Sequence, residues 1–163
     1  MMHRILPILA MGFFSTLFGC NKSLDNSKGD SPTTAFVSEA DFKANRIKQT
    51  TMAPQTMEQL RGYGVTEESK LKLEYFFYTN TKEMAEVLAE ELAGRGYNGE
   101  HDVAAGNPSQ FVITGWTTPM SMSNEVVVSW TGDMCDLGYK FDCEFDGWGT
   151  NPNQYRTSRS TQI

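Results

Sequence analysis

Few side chains in this sequence could carry out catalysis. Beyond residue 20 there is one histidine, His101, which rules out a histidine-based triad or a multi-histidine metal site. Asp142, Glu144 and Asp146 alternate along a predicted strand, where they lack the wrapped loop that surrounds calcium with oxygens. The other acids fall on the solvent faces of predicted helices and strands, and no pair stands out as a buried general acid and base. We therefore expect no catalytic site, no metal and no cofactor.

Cys135 and Cys143 are the other candidates for reactivity. Cys143 shares the alternation of Phe141 and Phe145, which predicts a buried thiol. Cys135 lies one turn before the end of a predicted helix and Cys143 in the middle of the next strand. Their Cα atoms are then expected beyond the roughly 7 Å that a disulfide can span. Export would permit a disulfide, but this geometry favours free thiols.

The first 20 residues have the pattern of a signal peptide. Arg4 precedes an apolar run over residues 5–18, which is shorter than the about 20 residues that a membrane span needs. The run ends in Leu17-Phe18-Gly19-Cys20, which resembles the lipobox of bacterial lipoproteins. The resemblance implies cleavage before Cys20 and its acylation. Acyl chains contribute about 0.8 kcal/mol per buried CH₂ and would hold the protein on a membrane of the cell envelope.

Two other outcomes for the leader remain open, namely an uncleaved anchor and a cysteine that stands at this position by chance. If Cys20 is lipidated, the residue after it bears on sorting. Asn21 rather than an aspartate implies, by resemblance to lipoproteins of bacteria with two membranes, the periplasmic side of the outer membrane.

Beyond the leader, the composition indicates one acidic domain. The chain has 163 residues, of which 39% are hydrophobic, enough to close a single core. Its net charge is −6, and loss of a leader with one arginine and no acid makes it −7. Such a charge repels nucleic acid. Residues 21–36 predict a disordered tether and residues 151–163 a polar tail.

Residues 37–66 predict a helical linker region, which begins at Ser38 and ends near Gly64. Pro54 is expected to interrupt it. Residues 67–150 predict a separate α+β domain from their alternating and helical apolar patterns. The predicted strands are 71–79, 101–104, 110–118 and 140–146, and the predicted helices are 82–95 and 124–137. This order is that of the split βαβ or ferredoxin-like fold, βαββαβ.

Both predicted helices of that fold cover one face of the sheet, so the opposite face would carry aromatic and acidic side chains. Its predicted members are Phe76, Tyr78, Val112, Trp116, Asp142, Glu144 and Asp146. The N-terminal helical region or the tail could cover this face. Alternatively, the face could bind a partner, because exposed aromatic residues are typical of interaction surfaces.

The last predicted strand leads into the sequence Phe141-Asp-Cys-Glu-Phe-Asp-Gly-Trp-Gly-Thr150. It resembles the C-terminal signature of the regulator of ribonuclease E activity B (RraB) family, whose last strand runs into a D-G-W-G-T turn. The residues of that turn would be Asp146, Gly147, Trp148, Gly149 and Thr150. Gly147 and Gly149 permit positive φ on either side of Trp148, so that the indole can fold back onto the core.

An aromatic first strand and a helix that ends in Gly96-Tyr97 extend the resemblance to roughly residues 57–150. It implies a ferredoxin-like, non-enzymatic domain that binds a protein. The family's founding cytoplasmic member binds an RNA-degrading endonuclease, ribonuclease E, and lowers its activity.

The leader and the resemblance together predict a membrane-anchored lipoprotein with a protein-binding regulatory domain. Two alternatives stay open. If the leader is not used, the chain would be a cytoplasmic-type inhibitor of ribonuclease E. It could also be an envelope hydrolase or small-ligand binder that uses surface carboxylates in a cleft between the N-terminal region and the domain.

Overall fold

A computed structural model describes residues 35–154. The predicted leader, Cys20, nearly all of the tether and most of the tail lie outside these residues. The elements in chain order are α1 (Glu39–Gly62), β1 (Lys70–Leu71), β2 (Glu74–Thr79), α2 (Lys82–Gly94), β3 (Asn98–Val103), β4 (Phe111–Trp116), β5 (Met120–Ser121), α3 (Asn124–Lys140) and β6 (Glu144–Gly149).

Four of these strands form an antiparallel sheet in the order β3-β4-β2-β6. Helix α2 connects β2 with β3, which lie on either side of β4, and α3 connects β4 with β6, which lie on either side of β2. This is the split βαβ arrangement. The short strands β1 and β5 pair separately, beside the start of β2. The predicted α+β, ferredoxin-like fold is confirmed.

Strand alternation builds the core. Tyr75 and Phe77 of β2, Ile113 of β4 and Phe145 of β6 point to one face, and all four are buried. Helices α2 and α3 cover this face with their own apolar stripes, including Leu88, Leu92 and Val127, which are fully buried. Burial of one such side chain contributes about 1.5 to 3 kcal/mol, so this layer dominates the stability of the fold.

Each of the three helices begins at a hydroxyl cap. The side chains of Ser38, Thr81 and Ser123 accept hydrogen bonds from backbone N–H groups in the first turns of α1, α2 and α3. Such a cap satisfies a donor that the helix itself leaves unpaired, and it contributes about 1 kcal/mol. The predicted start of the N-terminal helix at Ser38 is confirmed.

The prediction that Pro54 interrupts the N-terminal helix was wrong. Helix α1 continues through Pro54 for 24 residues. A proline inside a helix removes a hydrogen bond and costs about 3 kcal/mol. Burial of Ala53, Met57 and Leu60 on both sides of the proline offsets this cost, because these side chains join the core cluster.

Helix α1 also packs on the edge of the sheet. The Asn45 Nδ2 group donates a hydrogen bond of 2.7 Å to the carbonyl oxygen of Phe145 in β6. The Gln49 amide lies 3.5 Å from the same oxygen. Edge strands present unpaired backbone groups, and α1 satisfies one of those of β6, the carbonyl of Phe145.

Contacts between α1 and α3 hold this helix in place. The Arg46 guanidinium pairs with Asp136 of α3 at 2.7 Å, and the ring of Phe42 stacks on Tyr139 with centroids 4.2 Å apart. Helix α1 therefore belongs to the same compact unit as the sheet. None of the helices in residues 35–154 is long and apolar enough to cross a bilayer.

Several predicted strand limits differ from the structure. The strand expected over 71–79 is divided, because the backbone N–H of Leu73 donates to the Thr117 side chain rather than to a neighbouring strand. β3 begins at Asn98, three residues before its predicted start. The last strand begins at Glu144 rather than at residue 140, because α3 continues to Lys140.

Cys135 and Cys143 are buried free thiols, and the predicted burial of Cys143 is confirmed. Burial raises the pKa of each thiol to about 12. Both groups are therefore neutral and unreactive at physiological pH.

The glycine at position 138 provides a test of this packing. A Cβ atom there would lie 2.5 Å from the Cys143 carbonyl oxygen and 3.0 Å from the Phe77 ring, whereas nothing lies within 4 Å of one at Gly94. We expect Gly138→Ala to lower the free energy of unfolding by about 2 kcal/mol, because the backbone carbonyl cannot move aside. Gly94→Ala should leave it unchanged or raise it. Urea denaturation measures both, and equal stabilities would contradict the close packing of α3 on the turn into β6.

Candidate functional site

The sheet face opposite α2 and α3, which we call the outer face, is not covered by any helix of the described residues. Along β2, Glu74, Phe76 and Tyr78 alternate with the buried core residues and are only partly buried. Along β4, the equivalent outward positions are Val112, Thr114 and Trp116. Because side chains alternate along a strand, the buried core requires these six to face outward.

The strand register brings the predicted aromatic residues onto neighbouring strands. Phe76 stands opposite Thr114, Tyr78 opposite Val112 and Glu74 opposite Trp116. Phe76, Tyr78 and Trp116 are each partly exposed. We call these three residues, with Val112 and Thr114 between them, the aromatic floor.

Acidic side chains lie on both sides of the aromatic floor. Glu144 of β6 stands opposite Tyr78, and Asp146 is the extra residue of a β-bulge opposite Phe76 and Phe77. On the other side, the outward residues of β3 include Glu100 and Asp102, which stand opposite Thr114 and Val112 of β4. We call these two pairs the acidic margins; the β3 pair was not among the predicted site residues.

The acids of β6 are electrostatically strained, although solvent reaches both. Desolvation by surrounding protein atoms raises the pKa of Glu144, and the charges of Asp146 and Asp41 raise it further, while Lys48 of α1 lowers it. Desolvation likewise raises the pKa of Asp146, with Lys48 acting against it. Burial and the Asp146 charge also raise the pKa of Tyr78. Folding thus makes the charged form of this margin less favourable than it is in the unfolded chain.

Asp142 was predicted on the outer face, and this was wrong. It has a φ of +53° and lies in the turn between α3 and β6. Its carboxylate oxygens accept hydrogen bonds from the backbone N–H groups of Phe36 and Val37, both at 2.9 Å. Aspartate tolerates the left-handed conformation better than most residues, and here it attaches the segment before α1 to the domain.

The predicted D-G-W-G-T turn is also corrected. Asp146 to Gly149 belong to β6, and Thr150 directly follows it, so the segment is a bulged strand rather than a turn. Gly147 has a φ of +129° at the bulge, whereas Gly149 is not in the positive-φ region. Trp148 does pack inward, because its ring meets Trp130 of α3 edge-on at 6.4 Å. The Thr150 hydroxyl donates to the carbonyl of Lys72 at 2.7 Å.

Thr114 is a member of the site that sequence analysis missed. It lies in the middle of the aromatic floor, and its hydroxyl oxygen is buried without a hydrogen-bond partner among the described residues. The alternation of Val112, Thr114 and Trp116 was the available signal. Thr114 is the small polar residue of that pattern, and such a residue does not by itself indicate an interaction surface.

The described residues do not support the predicted carboxylate site in a cleft between the N-terminal region and the domain. A shallow cleft of about 650 Å³ does lie between the end of α1 and the start of the sheet, but its only carboxylate is Glu68. A hydrogen bond with Thr66 lowers the pKa of Glu68, which is unsuitable for a general acid. Within residues 35–154, no three His, Cys, Asp or Glu side chains are grouped as a metal site requires.

Comparison with protein families identifies the domain. The family model of regulator of ribonuclease activity B, RraB, matches residues 51–150, which is more than half of the chain. The chain belongs to the RraB family. The RraB match begins within α1 and includes the aromatic floor and both acidic margins, while Asn45 and Gln49 lie outside it. Comparison with individual curated proteins gave no match.

Because RraB proteins are regulators of ribonuclease activity, the family indicates a regulatory, protein-binding domain rather than a catalytic one. The outer face is the part of the described domain best suited to such a role. It combines partly exposed aromatic side chains with carboxylates that form no ion pair within residues 35–154.

The strain in the β6 margin provides a test of whether these acids are structural. Their pKa values are raised on folding, so their ionisation opposes folding as the pH rises above the values of the unfolded chain, about 4. We expect Glu144→Gln with Asp146→Asn to raise the free energy of unfolding by about 0.5 kcal/mol at pH 7. The difference should disappear near pH 3, where all carboxylates are neutral.

The matched control for this double variant is Glu58→Gln with Glu90→Gln, which removes two exposed charges from α1 and α2. It should change the stability little at either pH in the same urea titrations. A loss of stability at pH 7 in the β6 variant alone would instead assign Glu144 and Asp146 a structural role.

Proposed function

We propose that this protein is an envelope-anchored regulator whose RraB domain binds a protein partner through the outer face. Acyl chains on Cys20 would hold it on a membrane. The observation that carries the binding part is the aromatic floor, whose three large side chains lie on a sheet face that no described helix covers. The family supports this proposal, because a regulator acts by binding another protein.

The anchor part of the proposal is supported by the sequence of the leader. The apolar run and the lipobox-like Leu17-Phe18-Gly19-Cys20 are typical of exported lipoproteins. In this arrangement Cys20 becomes the first residue of the mature chain. The location would then be the outer surface of a membrane, on the periplasmic side where a bacterium has two membranes.

A second candidate function is inhibition of ribonuclease E in the cytoplasm. The family description favours it, because it names a regulator of ribonuclease activity. The net negative charge also favours contact with a basic protein over contact with RNA. An exported domain cannot meet a cytoplasmic enzyme, so cell location separates the two candidates.

The anchor is tested by the fate of Cys20. We expect mass spectrometry of the protein from its native host to find an acylated Cys20 as the first residue, and fractionation to recover the protein with membranes. Cys20→Ser should release the protein from the membrane fraction or leave an uncleaved precursor. The neighbouring Ser23→Ala should behave as the wild type. An intact Met1 in the soluble cytoplasm would instead favour ribonuclease inhibition, which an assay with purified ribonuclease E then measures.

The binding face is tested by removing the aromatic floor. We expect Phe76→Ala with Trp116→Ala to lose the partners that the wild-type protein captures after crosslinking in cells, because hot spots concentrate in large aromatic side chains. The matched control is Ile47→Ala with Tyr63→Ala, which removes exposed apolar area from α1 and the turn after it. Circular dichroism verifies that both variants fold. Unchanged capture by the first variant would show that binding uses another surface.

A further inference from the structure

The outer face has a definite pattern of charge and shape. The aromatic floor occupies the two central strands, and the acidic margins occupy the two edge strands, β3 and β6. Three strand spacings separate the edge strands, which places the two margins roughly 14 Å apart. Glu74 adds a fifth carboxylate at one end of the floor. The face is therefore an apolar strip with negative charge along both sides.

The acidic margins lack cationic partners within the described residues. None of Glu100, Asp102, Glu144 and Asp146 takes part in an ion pair there, since the four ion pairs of this part of the chain lie elsewhere. Lys48 of α1 is the cation whose charge acts on the β6 margin, and Asp41 of the same helix acts against it. The face thus has an excess of negative charge that a ligand can neutralise.

The width of the strip matches an α-helix. A helix with its side chains is about 10 to 12 Å across, and long basic side chains on its flanks reach a few ångströms further. An extended strand directs alternate side chains toward and away from the sheet, so it cannot place cations along both margins at once. The opposite face of this sheet is already covered by helices, α2 and α3.

We propose, building on the function proposed above, that the outer face binds a basic amphipathic helix of a protein partner. The apolar stripe of that helix would lie on the aromatic floor. Lysine or arginine side chains on its two flanks would pair with the acidic margins. Bound in this way, the helix would turn the two-layer domain into a three-layer one, and its charges would relieve the repulsion between Glu144 and Asp146.

The test uses the full chain and synthetic fluorescent peptides. The probe is a peptide of about 14 residues with leucines in one helical stripe and lysines on both flanks, roughly 21 Å long as a helix and comparable to a six-residue strand. One control peptide has the same composition in scrambled order, and another alternates lysine and leucine as a strand would. Fluorescence anisotropy gives the affinities, and circular dichroism shows whether the bound probe is helical.

We expect the helical probe to bind at least about tenfold more tightly than either control peptide. Glu144→Gln with Asp146→Asn, and separately Glu100→Gln with Asp102→Asn, should each weaken it about fivefold. Glu58→Gln with Glu90→Gln, which removes the same charge from the helices, should change it less than about twofold. Phe76→Ala with Trp116→Ala should abolish the preference for the helical probe.

Equal binding of all three peptides, or equal effects of the margin and helix variants, would show that net charge alone explains the binding. Either result would overturn the proposal. No binding of any peptide, with partner capture in cells still dependent on Phe76 and Trp116, would overturn the basic-helix assignment and leave the proposed function intact. Tight binding of the alternating peptide alone would assign the face to an extended segment instead.

Discussion

The fold depends on the packing of Phe145. Its ring lies 5.0 Å from that of Phe77 in the neighbouring strand and 6.1 Å from Trp130 of α3, measured between centroids. Its carbonyl oxygen accepts the hydrogen bond from Asn45 of α1. This one residue therefore joins the sheet, the helix layer and the helix that covers the sheet edge. Because strand side chains alternate, its burial also directs Glu144 outward, and the bulge directs Asp146 the same way.

The same constraint explains why the outer face is unfavourable for the isolated domain. Burying Tyr75 and Phe77 under the helices leaves Phe76 and Tyr78 on the opposite side, where they cannot join the core. Desolvation raises the pKa of both acids beside them, and the charge of Asp146 raises that of Glu144 further. Local arrangements that cost stability are common at functional sites, because binding of a partner can recover the stability that is lost there on folding.

Asp142 attaches the segment before α1 to the sheet. Asp142 binds the backbone of Phe36 and Val37, and its own carbonyl accepts a hydrogen bond from Thr79 at the end of β2. These contacts join the first described residues, the turn into β6 and the end of β2.

Much of the fold and of the outer face could be predicted from the sequence. Apolar periodicity located α2 and α3, a hydroxyl cap located the start of α1, and these elements gave the βαββαβ order. Alternation assigned Phe76, Tyr78, Trp116, Glu144 and Asp146 to one face. These features depend on contacts between residues close in sequence, which periodicity records. The conformation of the turn into β6 could not be predicted, because it depends on contacts with residues far away in the sequence. Asp142 leaves the strand to bind the backbone of residues 36 and 37, and Pro54 stays helical because the core holds α1 on both sides. Only the tertiary structure brings those partners together, since no pattern within a few residues encodes a contact about a hundred residues away.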